Sequence, residues 1–174
     1  VNFSEAELFA VEVATGETTA LGAKGSSPTI VGGDILIFGR GGVLFAASAA
    51  YQPDAASAVH TFCHALPGTW HQMGVILAAT DALNWYAGVV GEKPATLTEG
   101  LGDLQAPERT LFLPYLGGER TPHNDAQIRG AFLHLDHGAD RAALTRAVLE
   151  GVTHAFRDSF DALTGTGTTI DRLI

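Results

Sequence analysis

A single cysteine, Cys63, is present among 174 residues, which excludes an intramolecular disulfide and makes a cytoplasmic setting the plain expectation. Basic residues are scarce. Ten Lys and Arg stand against nineteen Asp and Glu, a formal charge of −9, and that balance removes nucleic acid from the expected partners. Long apolar runs are missing too: the stretch after Gly74 is broken by Asp81, well short of the roughly 18 residues of a membrane span. No charged-then-apolar segment opens the chain, so neither a leader nor a membrane partner is expected.

Apolar residues make up 46% of the chain, enough at this length for one soluble domain with a sizeable core. The pattern changes near residue 33. Residues 1–32 alternate apolar and polar side chains through LFAVEVATGETTAL, turn at a Gly-Glu pair and reach TIVGGDILIFG through a Gly-Ser-Ser-Pro patch, which is hairpin grammar. This segment looks like one repeat of a quinoprotein-type β-propeller. A lone blade cannot bury its faces, so residues 1–32 are expected to be an atypical β-hairpin segment and 33–174 the main domain.

From Asp34 the expected order is a strand (DILIFG), a glycine turn at Arg40-Gly41-Gly42, a strand (VLFAAS) and, after Pro53, a third antiparallel strand (AVHTFCHAL) turning at Pro67-Gly68. Three such strands followed by a helix open a ribonuclease H-like fold. The helix is expected from about His71 to Ala87, because Met73, Ile76, Leu77, Leu83 and Ala87 share one face at about 100° per residue. Thr80 and Asn84 fall inside that stripe. Gly88, Gly91 and Pro94 end it, and residues 91–109, with two prolines and three glycines, read as a loop or lid. A last helix is capped by Asp140, repeats Leu144, Val148, Val152, Phe156, Phe160 and Leu163 on one face, and stops at Gly165.

Few positions offer chemistry. The backbone amides of Gly39-Arg40-Gly41-Gly42 can cradle an anion, with Arg40 adding charge; the alternative is a plain hairpin turn. Thr80 and Asn84 must find hydrogen-bond partners if buried, either in a ligand or within the protein. In the loop Gly117 to Asp125, Glu119 and Arg120 read as a structural ion pair, and the glycines permit close backbone approach. His60, Cys63 and His64 are not expected to hold a metal. On a strand the two histidines would stand about 13 Å apart on one face, with the cysteine on the other.

The run PYLGGERTPHND from Pro114, the short strand opening at Arg129-Gly130 and the helix with Ala147-Val148-Leu149-Glu150 resemble the carboxyl-terminal lobe of the FGGY carbohydrate kinases. Xylulokinases are the closest group. The likeness extends upstream through VHTFCHALPGTWHQMGVILAATDALNW, Val59 to Trp85, and fades near Gly33. His134 stands where a glycine is common, and Ala143 where a polar residue is common. The resemblance implies an α/β, ribonuclease H-like (actin-like ATPase) lobe, a mixed sheet with flanking helices, present here in part.

For the complete enzyme, the resemblance implies ATP and magnesium as cofactors. The reaction implied is transfer of the γ-phosphoryl to a sugar hydroxyl, D-xylulose giving D-xylulose 5-phosphate. It places nucleotide contacts at Gly39, Arg40, Gly41, Gly42, Thr80 and Asn84, with Arg40 and Gly41 standing in for the hydroxyl pair of the family's Gly-Thr-Ser-Gly turn. No Gly-Asp-Asn/Gln motif precedes that turn, and Asp34, the only aspartate before it, sits too close, so no catalytic base is expected. The chain stops at Asp171-Arg172-Leu173-Ile174, in the family just short of the glycine-rich strand end that holds adenine. It is too short for two lobes. It is therefore expected to need a separate amino-terminal, sugar-binding lobe and to be inactive alone; a homodimer is compatible with it. The rival is a non-catalytic interaction or scaffold domain with a propeller-like amino-terminal unit.

Overall fold

The computed structural model describes residues 7–11, 18–24 and 36–38 by their backbone and 41–171 with their side chains. Strands β1 (Glu7–Val11) and β2 (Thr18–Lys24) pair antiparallel in a two-stranded sheet of their own.

Four further strands form the central sheet: β3 (Leu36–Phe38), β4 (Gly42–Ser48), β5 (His60–Cys63) and β6 (Trp70–Ile76). Their order is β3-β4-β6-β5, and every ladder is antiparallel. The strand at His60–Cys63 is thus an edge strand, and β6 separates it from β4. Much of β6 was expected to open a helix. Gln72, Gly74 and Ile76 are buried while His71, Met73 and Val75 are half-buried, so the true period is two, not 3.6. Pairing on both edges decides this, because a short apolar run fits either template until its neighbours are in place.

The helix that follows is shorter and later than the periodicity suggests. Helix α1 (Thr80–Val90) begins after the sheet ends and closes on Gly91, whose φ of 72° is a left-handed C-cap. Its buried side is Ala82, Tyr86 and Ala87. The stretch expected to be a loop holds a short helix, α2 (Pro94–Glu99), with proline in its first turn and Leu97 buried. Beyond it, β7 (Leu111–Leu113) and β8 (Ala131–Leu133) pair antiparallel.

Helix α3 (Arg141–Gly165) is the spine of the fold. Asp140 caps it, its Oδ1 accepting from the Ala143 amide at 2.9 Å. Of the expected apolar stripe, Val148 and Leu163 are fully buried, whereas Leu144, Val152, Phe156 and Phe160 lie at the core's margins. Small residues line the deepest side: Ala143, Ala147, Gly151, Ala155 and Ser159. They let the helix axis approach the strands closely, and the large flanking side chains then wrap over the contact. Val148 and Ala147 meet α1 and Phe112; Ala155 meets Ile76 and Ala79; Leu163 meets Leu44, Ala46 and Val59.

Candidate functional site

The end of β6 gathers most of the polar features singled out in the sequence. Gly39 and Arg40 lie outside the described residues. Gly41 precedes β4 and Gly42 opens it beside Ile76, and a Cβ on Gly41 would stand 2.5 Å from the Ile76 carbonyl and 3.4 Å from that of Leu77. At Gly42 a Cβ would run into the Phe156 ring. The backbone here is therefore pressed against β6 and α3, and glycine is required at both positions for packing.

Three residues past Leu77, Thr80 heads α1. Thr80 and Asn84 are both exposed, one turn apart on the side away from Ala82 and Tyr86. They do not share a buried stripe, as the helix 71–87 had implied. Shifting the helix start past the strand end rotates both side chains outward, so burial places no demand on them for an internal partner.

The loop from Gly117 to Asp125 closes the other edge of β6. Strand β5 pairs only as far as His60 with Met73, which leaves the Val75 and Leu77 amides without a ladder. Thr121 supplies one substitute: its N–H donates to the Val75 carbonyl at 2.9 Å and its Oγ1 accepts from the Val75 amide at 3.0 Å. The same hydroxyl donates to the Ala58 carbonyl at 3.1 Å. Glu119 supplies the other. Its Oε1 accepts from the Leu77 amide at 2.9 Å and from the Arg120 amide at 2.7 Å.

Glu119 is only 2% exposed, and its Oε2 is buried with no hydrogen-bond partner among the described residues. Burial pushes its carboxyl above the ordinary glutamate range, against the opposing pull of the two amides and of the His123 and Arg120 charges. The expected ion pair with the Arg120 guanidinium is replaced by a bond to that residue's backbone. This role was missed in the sequence, where only the glycine-flanked acidic position in a loop signalled it.

The histidines serve the sheet's other face. His71 stacks on Phe45 at 5.1 Å, and His60 meets Phe62 edge-on at 5.8 Å. Burial, and secondarily the charge of His64, lowers the His71 value. A separate cleft of about 260 Å³ runs between β7 and α3, lined by Pro114, Tyr115, Glu150, His154 and Asp158 among others. None of Gly41, Gly42, Thr80 and Asn84 lines it. Among the described residues no helix is long and apolar enough to cross a membrane.

Residues 36–174 match the model of the FGGY family of carbohydrate kinases, C-terminal domain. Among curated proteins, the xylulose kinase of Escherichia coli (strain K12) is 42% identical over 157 residues, covering 89% of this chain and 32% of that protein. The crystal structure of a xyloylose kinase from Brucella ovis superimposes with a TM-score of 0.77 at 60% identity, over 78% of this chain and 29% of that one. The xylulose kinase of Rhodospirillum rubrum gives 0.69 at 30% identity, over 80% and 28%. The chain spans about a third of the length of the curated relatives it matches. Its four-stranded sheet, with α3 packed on it and α1 on α3, is part of the actin-like ATPase lobe of these sugar kinases. On the match of residues 36–174 and the identity to these relatives, the chain belongs to the FGGY family of carbohydrate kinases and carries its C-terminal domain.

Proposed function

We propose that this chain supplies the nucleotide-side lobe of an ATP-dependent sugar kinase of the xylulose kinase kind, acting in the cytoplasm together with a sugar-binding lobe. The observation that carries the reading is the 60% identity to the Brucella ovis kinase over 78% of the chain. Residues 33–174 form the kinase portion, and 1–32 a β-hairpin appendage to it. The nucleotide would be met by the turn Gly39 to Gly42 and by Thr80 and Asn84. Two features support this: Thr80 and Asn84 are exposed on one helix face, and the glycine turn sits at the strand end from which that helix springs.

The catalytic base is proposed to come from the second lobe; of the carboxylates beside this strand end, Glu119 is sealed inside the loop and Asp81 lies in the first turn of α1. Among the described residues no group of three or more His, Cys, Asp and Glu is arranged to hold a metal ion. Magnesium, implied for the complete enzyme, would enter with the nucleotide phosphates, and the contribution proposed for this chain is nucleotide binding.

Backbone amide NMR shifts of the chain titrated with ATP provide the test. Shifts centred on residues 41–42 and 80–84, with millimolar affinity worth about 4 kcal/mol, are expected. Shifts scattered over the surface, or none at saturating ATP, would overturn the nucleotide site. Phosphorylation of xylulose by the chain alone would overturn its dependence on a second lobe.

A further inference from the structure

The link from the loop to α1 is short and stiff. Glu119 is fixed on its own side by a reciprocal pair of backbone bonds with Asp125, both at 2.9 Å, and reaches across to the Leu77 amide. Between Leu77 and Thr80 stand only Ala78 and Ala79, 3% and 1% exposed. Ala79 is the helix N-cap and gives no side-chain capping bond, so the start of α1 is not set by its own sequence. On the opposite flank of β6, Gly41 lies against the Ile76 and Leu77 carbonyls. Whatever fixes Leu77 therefore fixes the spacing between the glycine turn and Thr80.

We propose that Glu119 is a positioning residue whose carboxylate clamps the end of β6 at Leu77 and so holds Thr80, at the head of α1, in register with the Gly41–Gly42 turn. The inference rests on the proposed nucleotide site for its purpose, but its geometry stands without a nucleotide. A carboxylate suits the task because an acceptor-only oxygen can take both the Leu77 and Arg120 amides, and charge strengthens both bonds. When Oε2, which has no partner among the described residues, takes up a proton, the charge is lost and both bonds weaken. The charged and titratable groups near Glu119 are Arg120, His123 and Asp125 of its own loop and Tyr115 just before it; Asp81 lies in the first turn of α1.

The deciding experiment is a pH titration of backbone amide shifts in the ligand-free chain. Leu77, Arg120, Thr80, Gly41 and Gly42 are expected to move together, with one midpoint above the ordinary glutamate value. Glu119→Gln, which keeps an accepting oxygen but carries no charge, should abolish that shared transition and hold the five amides close to their low-pH positions at every pH. In His123→Asn, which leaves Glu119 in place and removes the imidazole that faces it, the shared transition should persist. Movement confined to Leu77 and Arg120, or persistence of the Thr80 transition in Glu119→Gln, would overturn the clamp.

With ATP present, Glu119→Ala should weaken binding about five- to tenfold and Glu119→Gln should restore it. ATP that perturbs none of Gly41, Gly42, Thr80 and Asn84 in the unsubstituted chain would end the nucleotide reading. The clamp would still stand or fall on the ligand-free titration.

Discussion

The carboxyl of Glu119 is held by burial above its ordinary value, and this has a consequence for stability distinct from its effect on α1. A carboxyl whose folded value is raised binds its proton more tightly in the folded than in the unfolded state. Its contribution is then fully present below the unfolded value and is lost as pH rises through the folded one. Glu119→Gln removes that dependence, so its denaturant midpoint should gain on the unsubstituted chain as pH rises from the acid range to neutrality. Glu119→Ala leaves the Leu77 and Arg120 amides without their acceptor and should cost about 1 to 3 kcal/mol. Urea unfolding of the three proteins across pH checks both statements, and parallel curves for the unsubstituted chain and Glu119→Gln would contradict the burial of the charge.

At the scale of elements, the contact between α3 and β7 depends on a side chain that is absent. A Cβ on Gly151 would collide with the carbonyl of Phe112, which is backbone and cannot rotate away, whereas one on Gly165 meets nothing within 4 Å. Alanine favours a helix interior over glycine by about 1 kcal/mol. The collision outweighs it. Gly151→Ala is therefore expected to destabilise by about 1 to 3 kcal/mol, while Gly165→Ala, in the last turn, should be neutral or slightly stabilising. Thermal unfolding of the pair separates the two cases, and equal midpoints would mean that α3 does not approach β7 through Gly151.

Elements also differ in how far their sequence reveals them. Helix α3 is legible because Asp140 caps it and its apolar residues recur over about five turns, yet which residues lie deepest was not. The large ones, Phe156 and Phe160, mark the margins, and the glycine and alanines mark the contact. Strand β6 was not legible as a strand. Met73, Ile76 and Leu77 fit a helical stripe with Leu83 and Ala87, and nothing local tells that β4 and β5 will claim both edges of Trp70–Ile76.

Over the whole molecule, a buried polar knot ties the far end of α3 to the sheet. Gln72, fully buried on β6, donates from Nε2 to the Thr166 hydroxyl at 3.0 Å and to the Gln52 carbonyl, and its Oε1 accepts from Thr168. Thr168 also reaches Gln52 Oε1 at 3.3 Å, as does Ser48. These bonds join the strand, the connection that follows β4, and the segment leaving α3. Gln72→Ala opens a cavity and orphans several of these groups, so a loss of about 2 to 4 kcal/mol is expected. Hydrogen exchange should accelerate at β6 and residues 163–168, sooner than in α1. Unchanged protection there would mean the knot is not needed to hold the end of α3.

The sequence by itself determined the family, since PYLGGERTPHND and the upstream stretch to Trp85 are strings of local chemistry. It also determined the hairpin of β1 and β2, the strands at 36–38, 42–48 and 60–63, and the capped span of α3, because caps, turns and long periodicities act within a few residues of themselves. The tertiary structure decided that Trp70–Ile76 is a strand, that Thr80 and Asn84 face outward, and that Glu119 bonds to Leu77 instead of pairing with the Arg120 guanidinium. Each of these depends on partners tens of residues distant, and hydrogen-bond groups that need satisfying accept whichever neighbour the packing brings.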